Sequence, residues 1–243
     1  MGVQGFGPST YGDGFADVYN DWYGTITDAE ATAAFVAARR ADGPVIELGV
    51  GSGRLVPALE AAGCPVIGLD ASASMLTQCP PDLATIQADL ASLPLRPTPF
   101  AGAAICAFNT LFNLPTAEAQ LSLLQQVASV LVSGGALVIE AITGAALIDG
   151  PPQSVGVSRM TASDLVLSAT LLDTDEQTIQ GQHVEITEGG VKMRPWLLRW
   201  TTPEQLDQLA AFAGLTLAER FADWDRSEFT ADSEKHISVY RRP

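Results

Sequence analysis

The stretch Val45-Ile46-Glu47-Leu48-Gly49-Val50-Gly51-Ser52-Gly53-Arg54 decides the fold. A short buried-type strand ends in a carboxylate, and three glycines then alternate ahead of a helical pattern. Glycine tolerates positive φ and lets a ligand come close to the main chain. The helix start that follows offers unpaired N–H groups to a negative ligand group. A dinucleotide fingerprint needs G-x-G-x-x-G. Counted from Gly49 its third glycine falls on Arg54, and counted from Gly51 it falls on Val56. The pattern is E-x-G-x-G-x-G, and the nicotinamide reading is set aside.

Working outward, residues 44–142 alternate apolar runs with helical stretches. Strands are expected at Val45–Leu48, Val66–Asp70, Thr85–Asp89, Ala103–Phe108 and Ala136–Ile142. Near-continuous apolar runs mark parallel strands covered on both faces. A helix is expected over Ala117–Val132, with Thr116 as N-cap and Ser133-Gly134-Gly135 ending it. Upstream, Thr27-Asp28-Ala29-Glu30 reads as a capping box opening a helix to Arg40. This alternation predicts a doubly wound, Rossmann-like, mostly parallel sheet.

After the fifth strand the style changes. Residues 153–200 carry period-2 stretches, such as Leu165–Thr170 and His183–Thr187, separated by turn clusters. That is an inserted layer of antiparallel strands. Thr202-Pro203-Glu204-Gln205 then caps a helix to Ala213, and Thr216–Phe221 and Lys235–Tyr240 read as closing strands that complete a seven-stranded sheet.

Two further carboxylates fall in register with Glu47. Asp70 ends the second strand, 17 residues after Gly53, and Asp89 ends the third, 19 residues later. In a doubly wound sheet the carboxyl ends of the strands line one edge, where ligands bind. A carboxylate after the second strand can accept both hydroxyls of a ribose, and one after the third can accept from an adenine amino group.

Composition narrows the partners. The chain has 243 residues, 28 acidic against 13 basic, for a formal net charge of −15. Nucleic-acid binding needs a concentrated basic patch, so it is not expected. Cys64, Cys79 and Cys106 form no C-x-x-C pair, which argues against a disulfide scaffold or a metal site and for a reducing compartment. The segment Met1–Phe6 has no basic stretch leading into an apolar core, and no apolar run approaches the ~20 residues of a membrane span. A soluble, cytoplasmic protein is expected.

With these pieces in place, the chain resembles the class I S-adenosylmethionine-dependent methyltransferases. The matching segments are Glu47–Gly53, Leu69-Asp70-Ala71-Ser72 with Met75, Ala88-Asp89-Leu90, and Ala107–Leu114 after the fourth strand. The resemblance implies that Glu47, Gly49, Val50, Gly51, Gly53, Asp70, Ala71, Met75, Ala88, Asp89, Leu90, Phe108 and Asn109 bind S-adenosylmethionine. It departs from the pattern at Ala101, where an acid often begins the fourth strand, and at Pro57, early in the helix after the glycines. Proline is tolerated in a first turn.

The segment Tyr11…Asp17-Val18-Tyr19-Asn20-Asp21-Trp22-Tyr23 resembles the D-x-Y-D-x-W-Y stretch of glycine N-methyltransferase-like and sugar N-methyltransferase-like enzymes. The resemblance implies that it folds over the cofactor, with Tyr11, Tyr19 and Tyr23 near it and Tyr19 or Tyr23 closing the catalytic site. His183 is the candidate base, since histidine titrates near neutral pH. His236 reads as structural. Asn113, Arg194, Trp196 and Arg199 are candidates for an acceptor pocket, the arginines suiting a carboxylate.

The expected organisation is an N-terminal cover over residues 1–43, a cofactor core over 44–150 and 201–243, and a substrate cover over 151–200. The expected activity is methyl transfer to an amino or hydroxyl group of a small-molecule natural product, by a monomer or homodimer. Methylation of a peptide N-terminus, cyclisation with the same cofactor, or a non-catalytic cofactor-binding module are the alternatives.

Overall fold

The structure, a computed structural model, describes residues 5–24, 28–144, 147 and 150–243. Seven strands form the large sheet: β1 (Val45–Leu48), β2 (Val66–Asp70), β3 (Ala84–Gln87), β4 (Ala101–Cys106), β5 (Leu131–Ile142), β10 (Thr216–Phe221) and β11 (Lys235–Arg241). Their order is β10-β11-β5-β4-β1-β2-β3. The five strands β1 to β5 run parallel, whereas β11 is antiparallel to both neighbours. Between β5 and β10 the chain inserts a second, antiparallel sheet, β6 (Gln153–Met160), β7 (Asp164–Asp173), β8 (Thr178–Thr187) and β9 (Gly190–Arg199).

Two buried clusters cover the two faces of the large sheet. One holds Ile46, Leu48, Leu69, Leu124 and Val127 against α6 (Ala117–Val130) and α7 (Pro203–Phe212). The other holds Val45, Val56, Leu59, Ile105 and Val138 against α3 (Ala29–Ala37) and α4 (Val56–Ala61). Strands β1 and β4 are buried at every position, which is why they read as unbroken apolar runs. Thr202 caps α7 through the expected box with Gln205, and Pro57 falls in the first turn of α4.

Several boundaries differ from the sequence expectation, each for a local reason. Asp28 caps α3 by accepting from Ala31 N at 2.9 Å, while Thr27 lies outside the described residues. That helix closes at Ala37, because Arg39 N turns to Val36 O and Ala41 N leaves for Gly102 O. Strand β3 stops at Gln87, two residues before Asp89, whose carboxylate instead accepts from Ala91 N to make a turn. Strand β4 stops at Cys106, since Phe108 and Asn109 take positive φ, 49° and 61°. Helix α6 ends at Val130 and β5 begins at once. Among the described residues, no helix is long and apolar enough to cross a membrane.

Candidate active site

The parallel strands end along one edge of the large sheet, and there the chain encloses a cavity of about 270 Å³. The floor is the glycine loop and the turns after β2, β3 and β4, which contribute Gly49, Gly51, Asp70, Ala71, Asp89 and Leu90, then Phe108, Asn109 and Asn113. Met75, from α5 (Ala73–Leu76), closes one side. The cover is α1 (Thr10–Phe15) and α2 (Tyr19–Tyr23), which contribute Tyr11, Phe15, Tyr19 and Tyr23. The inserted sheet supplies the remaining wall through His183, Trp196 and Leu198.

Four residues expected at the site stand behind this lining. Glu47 is 4% exposed, Val50 packs beneath Gly68, Gly53 abuts Cys79 and Pro80, and Ala88 belongs to the core. Burial pushes the Glu47 carboxyl up to about 8, with Arg54 opposing, and its Oε2 has no partner among the described residues. Asp70 ties the floor together: Oδ2 accepts from Gly51 N at 2.9 Å and Oδ1 from Ser72 N at 2.8 Å. Burial raises its pKa, and those backbone N–H groups work against the rise.

The turn after β4 is strained, because positive φ in a residue with a side chain costs on the order of 1–3 kcal/mol. Glu140 on β5 holds it in place. Its Oε2 accepts from Phe108 N at 2.8 Å, its carbonyl from Asn109 N at 3.1 Å, and its Oε1 from Trp224 Nε1 at 3.1 Å. Asn109 Oδ1 is committed to Ile142 N at 2.8 Å. Asn113 Oδ1, by contrast, is a buried acceptor with no partner among the described residues.

The helical cover is fastened on both sides. On the floor side, Asp13 accepts from Ser72 Oγ at 2.6 Å, Asn20 from Ser52 Oγ at 2.7 Å, and Ala16 O from Gln78 Nε2 at 2.7 Å. Gly12 allows this approach, since a Cβ there would lie 2.4 Å from Ser72 Cβ. On the other side stands Arg194 of β9, 1% exposed. Its five N–H donors all have acceptors on Gly14 O, Asp17 and Glu185. Arg194 therefore has no donor left for an acceptor carboxylate, contrary to the sequence expectation.

Arg199, expected at an acceptor pocket, does not line the cavity either. Strand residues alternate between faces, so Trp196 and Leu198 face the cavity while Arg199 turns to Gln120 Oε1 and Thr201 Oγ1, at 3.4 and 3.2 Å. His236 is fully buried on β11, with Nδ1 2.8 Å from Ser238 Oγ, away from the cavity lining. His183 is half-buried in the aromatic wall, where its Nδ1 faces Trp196 Nε1 at 2.9 Å. Burial lowers its pKa, and Arg194 lowers it further. Burial raises the hydroxyls of Tyr11, Tyr19 and Tyr23, so all three stay protonated.

Sequence reasoning missed Phe15 and Glu140. Phe15 stacks on Tyr11 at 4.8 Å between ring centroids and is fully buried. The aromatic residues at 11, 15, 19 and 23 recur every fourth position, a signal that would have found it. Glu140 is the lone acid in the otherwise apolar run Ala136–Ile142.

Comparison with known proteins agrees with this architecture. A family profile described as a methyltransferase domain matches residues 45–135. The chain is 34% identical to the CcbJ methyltransferase of Streptomyces caelestis, with a TM-score of 0.90, over 98% of this chain and 99% of that one. The S-adenosylmethionine-bound amino pentose methyltransferase CalS10 of Micromonospora echinaspora shares the fold at 21% identity and a TM-score of 0.70, covering 93% of this chain and 97% of its own. The sugar N-methyltransferase KedS8 of a Streptoalloteichus species does so at 18% identity and 0.70, covering 100% and 97%. No curated protein sequence matches the chain. A glycine loop, strand-end acids and whole-chain likeness to an enzyme of known class lead to one conclusion: the chain belongs to the S-adenosylmethionine-dependent methyltransferases.

Proposed function

We propose that the protein methylates an amino or hydroxyl group of a small-molecule natural product. The observation that carries this reading is the continuity of one cavity, from the strand-end acids to an aromatic chamber walled by the inserted sheet. KedS8, named a sugar N-methyltransferase, and CalS10, named an amino pentose methyltransferase, support an amine-bearing acceptor.

The floor suits S-adenosylmethionine, which carries ribose hydroxyls, an adenine amino group and an ammonium as donors. Asp70 and Asp89 line the floor as acceptors, and Asn113 Oδ1 is a buried acceptor without a partner among the described residues. We assign Asp70 to the ribose and Asp89 to the adenine. When bound, the cofactor supplies a methyl group already activated on a sulfonium.

The chain's own task is then to orient, desolvate and shield. Aromatic faces of Tyr11, Tyr19 and Tyr23 favour a cation beside them and exclude water. Proximity supplies much of the acceleration for such a displacement. The protonated tyrosines bind and close rather than abstract protons. On this reading residues 1–43 cover the cofactor, residues 44–150 and 201–243 hold it, and 151–200 select the acceptor. The three free cysteines, none in a disulfide, suit a cytoplasmic setting.

The test is incubation with S-adenosylmethionine and a panel of amine and hydroxyl natural products, followed by mass analysis. Formation of S-adenosylhomocysteine with a methylated product is expected. Methylthioadenosine in its place, or a failure of S-adenosylhomocysteine to bind, would refute the proposal.

A further inference from the structure

We infer that His183 is a fixed hydrogen-bond donor that reads an oxygen atom of the acceptor beside its reacting nitrogen, not the base of the reaction. The inference rests on the methyltransfer reading above and goes on to name the acceptor class: neutral amines with an adjacent hydroxyl or carbonyl.

The reasoning begins at Gly181. A Cβ at this position would lie 1.9 Å from Trp196 Cε2, so only glycine lets the indole lie flat across β8. Gly181 pairs with Trp196 and His183 with Arg194 in the β8–β9 ladder. The indole therefore reaches diagonally, and its Nε1 meets His183 Nδ1 at 2.9 Å. An indole N–H only donates, so Nδ1 must present its lone pair. A neutral imidazole has one N–H, and it is then on Nε2.

The groups around the ring keep it in that state. Phe15 packs edge-on at 5.5 Å between centroids, and Trp22 lies at 6.1 Å. The charged neighbour directly across is Arg194, with Glu185 already engaged by that arginine, and Ser168 is the partner on β7. A second proton on Nδ1 would point at the indole N–H and add a cation beside Arg194. Accepting a proton at Nε2 would require the other tautomer and the loss of the Trp196 bond.

Among the described residues lining the cavity, the other ionisable groups are the floor acids Asp70 and Asp89 and the three protonated tyrosines. None suits deprotonation of a hydroxyl at the inserted-sheet wall, whereas a neutral amine attacks without a base. A donor aimed at the attacking nitrogen would occupy its lone pair. On this proposal the His183 N–H meets an oxygen next to that nitrogen instead.

The first measurement is 15N NMR of the full chain labelled at histidine, with His183→Gln assigning the signal against His236. An unprotonated Nδ1 and a protonated Nε2 are expected at neutral pH, and mixed tautomers in Trp196→Phe and Gly181→Ala. The reverse tautomer in the unaltered chain would overturn the inference. The second is turnover of trans-2-aminocyclohexanol against cyclohexylamine. The amino alcohol should be favoured at least tenfold in kcat/KM, a preference kept by His183→Gln and lost in His183→Phe. No preference, or an equal hundredfold loss of kcat for both amines with a vanished acidic limb in the pH profile, would overturn it. Turnover of neither amine by a protein that binds S-adenosylhomocysteine removes the acceptor class alone. Failure of that binding removes the methyltransfer reading instead.

Discussion

Asp17 and Arg194 lie 177 residues apart in sequence and meet at 2.6 Å, joining the helical cover to the inserted sheet. Arg194 Cζ also stands 5.3 Å from the Trp22 ring centroid. Because the arginine is buried and bonded at every donor, removing it leaves Glu185 without a counter-charge, while the half-exposed Asp17 keeps only Lys192 at 2.6 Å. Arg194→Met should destabilise the fold by about 1–3 kcal/mol, the cost of leaving a partly buried acceptor unsatisfied. It should also expose residues 5–24 to protease and weaken S-adenosylhomocysteine binding at least tenfold. Unchanged proteolysis and affinity would show that the cover does not depend on this clasp.

Asp70 holds the glycine loop and faces the cavity at once. Asp70→Ala should weaken cofactor binding by ~1.5–3 kcal/mol, the worth of a hydrogen bond to a charged group. Calorimetry with S-adenosylhomocysteine measures it, and an unchanged affinity would sink the ribose assignment.

Gly12 lies where the cover touches the turn after β2. In Gly12→Ala the new methyl collides with Ser72 and strains the 2.6 Å bond from Ser72 Oγ to Asp13. Overpacking of this kind costs about 1–3 kcal/mol. We expect it as a loss of cofactor affinity of tenfold or more, read by fluorescence or calorimetry.

Glu47 makes stability depend on pH. Its carboxyl titrates at about 8 in the folded chain against a reference of 4.5. A raised folded value means that the native state retains the proton longer than the unfolded chain does. The contribution is therefore full below 4.5 and is lost as pH rises toward and through 8. The unfolding midpoint of the ligand-free protein should fall across that range, and Glu47→Gln should flatten the fall. An equal slope in both proteins would assign the effect to another group.

How much of this was legible in the sequence depends on the range of the interaction. The glycine loop, Asp70 and Asp89 declare themselves through local spacing, because the parallel sheet repeats one strand-turn-helix unit. The antiparallel insert was legible from the alternation in Leu165–Thr170 and His183–Thr187, which falls in β7 and β8. The fates of Arg194 and Arg199 were not. Both are arginines on one strand, and only the partner elements decide that one clasps the cover while the other turns to Gln120. Glu140 was hidden for a similar reason: its role is to hold a left-handed turn 32 residues away.

The clasp has one more consequence. With Arg194 engaged by two carboxylates, no lysine or arginine is among the described residues lining the cavity, and the cation nearest its floor is Arg54, behind Tyr19 and 5.7 Å from the Phe108 ring centroid. The chain as a whole carries −15. That acidic excess disfavours the approach of phosphorylated or carboxylated compounds over long range. Compound libraries for this protein should begin with amines from which such groups are absent or already removed.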